Sequence, residues 1–111
     1  MANPNKQTSF LCGQIVQLNL TSWETLVVEK VTDSEFLQML LTQQTIKQHT
    51  LVEMWKPGFL EEITLTNNDN GLLLSSFDII LDNKEKAKFF VVLFGEHKCL
   101  IRESEIKAAS K

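Results

Sequence analysis

Six consecutive residues, Phe89-Phe90-Val91-Val92-Leu93-Phe94, are all large and apolar. Successive side chains of a strand point to opposite faces, so a run of this kind cannot give one face to water. It has to lie with both faces covered, between neighbours in a sheet or barrel. Its β-branched and aromatic content favours strand over helix. The segment before it, Asp82-Asn83-Lys84-Glu85-Lys86-Ala87-Lys88, is almost all charge and amide. It reads as a connection from a second apolar stretch at residues 72–81. The competing reading is a polar loop that caps a short helix running into Phe89.

The rest of the chain supplies partners for that strand. Residues 11–20 read as a first strand, with Cys12, Gln14, Val16, Leu18 and Leu20 on one side. Residues 25–31, rich in Val and Leu, read as a second, and the two together predict an N-terminal hairpin. Thr32-Asp33-Ser34-Glu35 fits a capping box, in which the Thr32 hydroxyl and the Glu35 carboxylate each accept a backbone N–H of the other residue. Phe36, Leu37, Leu40 and Leu41 then recur at helical spacing and predict one amphipathic helix over about residues 33–47. From Thr50 the pattern returns to strand, at residues 50–55 and 59–66. Lys56-Pro57-Gly58-Phe59 suits a type II turn, with Pro57 presetting φ and Gly58 supplying φ > 0. Asn70-Gly71 is a hairpin cue. Residues 72–81, 89–94 and 98–103 complete the strands, and 104–111 read as a short helical end or a tail. The expected class is α+β: a small, strongly bent antiparallel sheet or SH3-like barrel, with an N-terminal hairpin and one helix. Residues 10–107 are expected to form one globular domain behind a short tail at 1–9.

Composition narrows the function. With 43% hydrophobic residues, the 111-residue chain can bury a core without metals or disulfides. Cys12 and Cys99 lie in apolar strand-like segments and read as buried free thiols. No apolar run approaches the length that spans a bilayer, and the first nine residues lack the apolar core of a secretory signal, so a cytoplasmic location without membrane contact is expected. The net charge of −3 is uneven. Residues 1–82 carry four Lys against ten Asp and Glu, whereas 83–111 carry six Lys and one Arg against four Glu. A binder of duplex DNA would be more basic.

Two short segments resemble the motifs of the Sm-like family, which includes a bacterial RNA chaperone. Leu74-Ser75-Ser76-Phe77-Asp78 is similar to the first motif, L-x-x-F/Y-D-x-x-M-N. Gly95 with Leu100-Ile101-Arg102-Glu103-Ser104-Glu105-Ile106 is similar to the second, built around I-R-G-x-x-I. The similarity spans about residues 33–106 and leaves out the N-terminal hairpin. It implies an Sm-like barrel and an oligomeric ring closed by strand edges, with Asp78, Asp82 and Arg102 lining a base-binding surface. Two departures fall on those positions. Asp82 stands where the family has Asn and accepts hydrogen bonds without donating them, and Glu103 stands where the family has Gly. For Arg102 the plainer expectation is a surface ion pair with Glu103 or Glu105.

Chemistry-bearing patterns are absent. His49 and His97 have no partner at zinc-ligand spacing, and there is no nucleophile elbow, Walker loop or dinucleotide fingerprint. Glu61 and Glu62 are adjacent, so a strand points them apart. Asn67 to Gly71 lacks the downstream Glu of a calcium loop. No enzyme, metal or cofactor is expected. Trp23, Trp55 and Phe59 sit in or beside turns, where aromatics anchor partners. The leading expectation is a non-catalytic binding module that self-associates or docks on another protein. The alternatives are an Sm-like RNA binder and a small inhibitor or accessory protein of a mobile element.

Overall fold

The computed structural model of the chain describes residues 10–109; the expected tail at 1–9 lies outside them. In order, the elements are β1 (Ile15–Leu18), β2 (Thr25–Val31), α1 (Ser34–Thr42), β3 (Thr45–Lys47), α2 (Gln48–Met54), β4 (Leu60–Thr66), β5 (Asn70–Ile80), β6 (Lys86–Phe94), β7 (His97–Arg102), a 3-10 turn at Glu103–Glu105 and β8 (Ile106–Ala108). The strands form one sheet in the order β4-β2-β7-β6-β5-β1-β8, with β3 added to the far end of β5.

The sheet is strongly curled, and chain geometry requires it. From β4 to β5 is four inter-strand steps, about 19 Å across a flat sheet. Thr66 and Asn70 are four residues apart, a reach of at most about 14 Å. Only a sheet bent into a half-barrel brings those strand ends together.

Strand β6 lies between β5 and β7, with both faces covered as the hexapeptide requires. Phe90, Val92 and Phe94 face inward, into a core shared with Val16, Leu18, Val28, Leu73, Cys99 and Ile101. Phe89 and Val91 face outward, into a second core with Phe36 and Leu40 of α1 and with Ile46, Phe77 and Ile79. A bulge at Leu74 connects the two. The register runs Leu73↔Val92 and then Ser75↔Val91, so one extra residue shifts the phase of β5. Odd-numbered residues of β5 therefore face inward up to Leu73 and outward from Ser75. Gly71 lies before this bulge, where its lack of a side chain admits Val92 and Phe94.

Several expectations need correction. β1 and β2 do not form a hairpin: β1 pairs with β5 and β8, and β2 with β4 and β7. The expected helix over 33–47 stops at Thr42, because Thr45–Lys47 finds ladder partners in Asp78, Ile79 and Ile80, the sheet's one parallel pairing. Residues 50–55 are helical as far as Met54 rather than a strand. Thr32 does not cap α1. Asp33 is the N-cap, its carboxylate accepting from the Phe36 N–H at 2.9 Å, while the Thr32 hydroxyl donates to the Gly58 carbonyl. Asn70-Gly71 begins β5 and makes no hairpin with β4. Residues beyond Ser104 include a strand, β8, paired with β1. Cys12 is exposed and only Cys99 is buried, both as thiols. The turn at Lys56 to Phe59 forms as expected: Phe59 N–H donates to the Lys56 carbonyl at 3.0 Å, and Gly58 has φ +94°.

A candidate docking groove beneath the second helix

Helix α2 contributes no buried residue, although Gln48, Leu51, Val52 and Trp55 follow the i, i+3, i+4, i+7 spacing of one helix face. That face looks across a groove at the outer surface of the sheet. A cavity of about 440 Å³ is lined by Val52, Trp55 and Leu60 together with a floor of Phe36, Leu40, Phe77, Ile79, Phe89 and Leu100, and Leu51, which packs against the second core, anchors the helix at it. Every lining side chain is apolar. Val52 is 64% exposed and Trp55 44% exposed, so the helix closes onto the apolar floor through Leu51 alone and leaves the rest of its apolar face open.

Local chemistry explains the stand-off. Seven residues make too short a helix to persist alone, so its position is set by what holds it. No side chain caps its N-terminus. It follows directly from β3, and the Gln48 side-chain oxygen accepts the Asp82 N–H at 2.9 Å, tying its first turn to the β5–β6 connection. At the other end Trp55 N–H closes the helix on the Leu51 carbonyl, and Pro57 follows at once.

At its outer end the groove continues into a hollow of about 620 Å³ that shares Leu51, Val52, Ile79 and Phe89 with the apolar cavity and adds Lys88, Arg102, Glu103 and Ser104. Arg102 is directly opposite Phe89 in the register, and its guanidinium carbon is 5.8 Å from that ring's centre. It forms no ion pair with any described residue. The expected pairing with Glu103 or Glu105 is replaced by a backbone bond, in which the Glu105 carboxylate accepts the Arg102 N–H at 3.2 Å.

The residues singled out from the sequence are dispersed. Trp55 lines the groove and Arg102 its outer end. Phe59 stacks obliquely on Phe36 at 5.4 Å, half-buried behind the floor. Trp23 is 80% exposed in the β1–β2 connection and lines none of these cavities. Asp78 forms an ion pair with Lys88 at 3.5 Å. Directly opposed residues share a face, so Asp78 lies with Lys88, and Arg102 with Phe89. Lys88 and Phe89 are neighbours on β6, which puts Asp78 and Arg102 on opposite faces of the sheet. Asp82 is exposed in the turn after β5, and its backbone holds α2.

The floor residues went unrecognised as a site because each reads as ordinary core. The available signal was the helical spacing of Leu51, Val52 and Trp55, hidden by a strand reading of 50–55. Among the described residues no three His, Cys, Asp or Glu side chains gather as a metal site, and no helix is long and apolar enough to cross a membrane. No family model, curated protein or solved structure matches this chain.

Proposed function

We propose that the chain is a non-catalytic binding module that docks on another protein through the groove beneath α2. The observation that carries this reading is the apolar cavity left between α2 and the sheet, where Leu51 alone packs on the second core and Val52 and Trp55 stay exposed. At about 440 Å³ the cavity suits a pair of large apolar side chains, and the exposed Trp55 and Val52 extend the contact along its lip. Trp is enriched among residues that dominate binding energy, and a short apolar segment laid in a groove is a recurring mode of recognition. The apolar part of the groove carries no ionisable side chain to act as acid, base or nucleophile, which favours binding over catalysis.

Selection from a displayed peptide library tests this, with Val52→Lys as the counter-target. Val52 is exposed, so that variant folds. Peptides with closely spaced apolar residues are expected, their affinity falling at least about tenfold on Val52→Lys. Peptides that ignore the substitution, or no enrichment, would overturn the reading. Light scattering distinguishes a second copy as the partner. A monomer of 12.7 kDa points to a different protein, and a dimer that Val52→Lys dissolves points to self-association.

Sm-like RNA binding is the second reading, favoured by Arg102, whose unpaired guanidinium over Phe89 could stack on a base. The outer edge of β4, which pairs with no other strand among the described residues, would then join subunits. A ring-sized mass and salt-sensitive retardation of a U-rich oligonucleotide would support it.

A further inference from the structure

We infer that the segment docking under α2 carries a carboxylate beside its apolar residues, and that Arg102 reads it. The inference rests on the docking reading and specifies the partner's chemistry.

Arg102 ends β7, and the Glu105 carboxylate on its own N–H fixes the strand end. Its guanidinium lies on the groove side of the sheet, over Phe89. A guanidinium drawn over a ring without an ion-pair partner has N–H groups left to grip a carboxylate with two parallel bonds. Arg102 has no ion-pair partner among the described residues, and Glu103, which lines the same hollow, is not paired with it. Lys88, which also borders the hollow, turns its side chain to the opposite face of the sheet, where it pairs with Asp78. Arg102 and Glu103 are therefore the uncommitted charges that border the groove, and of the two only Arg102 lies over the floor residue Phe89.

Phe89 connects the two halves of the site. It forms part of the apolar floor, and it carries Arg102 on the same face. A ligand that fills the floor with apolar side chains thus brings its next residue to the guanidinium, where an acidic side chain or a terminal carboxylate finds charge complementarity. A nucleic-acid backbone would call for several unpaired cations along a track, and this hollow presents one.

The test repeats the peptide selection on the wild type and on Arg102→Gln, a substitution at an exposed position whose unfolding midpoint is expected to match the wild type's. Wild-type peptides are expected to carry Asp, Glu or a free C-terminus next to the apolar pair. Replacing that acid with its amide should weaken binding about tenfold on the wild type and less than about twofold on Arg102→Gln. Arg102→Lys should recover only part of the difference. Groove-dependent peptides without an acid, or an acid whose replacement costs the same on both proteins, would overturn the inference and leave groove docking standing. Peptides indifferent to Val52→Lys would overturn docking itself, and the inference with it. A U-rich oligonucleotide bound through Arg102 would overturn the acidic peptide as the partner.

Discussion

A methyl group built on Gly71 would come within 2.4 Å of Val92 Cγ1 and 2.8 Å of Phe94 Cε1. Both contacts are with well-packed side chains of the inner core, 0% and 3% exposed. Gly71→Ala is therefore expected to destabilise the protein by about 1–3 kcal/mol, the usual cost of overpacking. Urea unfolding with an unchanged slope and a lowered midpoint checks it.

Asp33 is the residue that starts α1, so Asp33→Ala should remove about 1 kcal/mol of stability. Asp33→Asn keeps the accepting oxygen and should retain most of it. Equal losses in both variants would assign the effect to the carboxylate's charge, and no loss in Asp33→Ala would mean that the cap contributes nothing.

Lys84 carries a left-handed backbone, φ 75°, in the five-residue connection between β5 and β6. Its N–H donates to the Leu81 carbonyl at 2.9 Å, and the Leu81 N–H donates to the Glu85 carbonyl at 2.8 Å. This is the hairpin position that glycine prefers. Lys84→Gly relieves the side-chain clash but loosens the unfolded chain, so a net gain of up to about 1 kcal/mol is expected. Lys84→Val should destabilise, and thermal unfolding of the pair reads both signs.

Burial raises the Cys99 thiol from an ordinary value of 9.0 to about 11, against a smaller opposing pull from Lys30. Between those values the folded state keeps a proton that the unfolded chain releases. Its effect on stability is thus absent below about pH 9, and stability falls as the pH rises toward 11. The difference in denaturation midpoint between the wild type and Cys99→Ala should narrow across that interval. In native protein a thiol reagent should modify Cys12 quickly and Cys99 only on unfolding.

The centre of the sheet was legible in the sequence because the β-branched and aromatic content of Phe89 to Phe94 favours strand over helix, and such a strand must be covered on both faces. The Pro57-Gly58 turn was equally legible, since each residue supplies a backbone angle the turn requires. The end of α1 was not, because no Gly or Pro stops it. Pairing of Thr45–Lys47 with β5 does so instead, and tertiary pairing leaves no local mark. The start of α2 is silent for a related reason: Lys47 precedes it and offers no capping oxygen. The bulge at Leu74 is concealed by Leu72-Leu73-Leu74, since a uniform apolar run has no phase to slip. Of the candidate site, Trp55 is legible as an aromatic beside a turn and Arg102 as the arginine of the second Sm-like motif. Their common surface was hidden, because it is made by a helix that local pattern read as a strand.

The groove beneath α2 is the feature on which docking depends, and Trp55 reports on it directly. In Trp23→Phe it is the one remaining indole of the two in the sequence. Titration with anilinonaphthalene sulfonate, an apolar anion, should give saturable energy transfer from Trp55 and a blue shift of its emission. Val52→Lys should abolish both, and Arg102→Gln should weaken them. Trp55 emission unmoved by the dye, or transfer that survives Val52→Lys, would contradict a groove open to an apolar ligand.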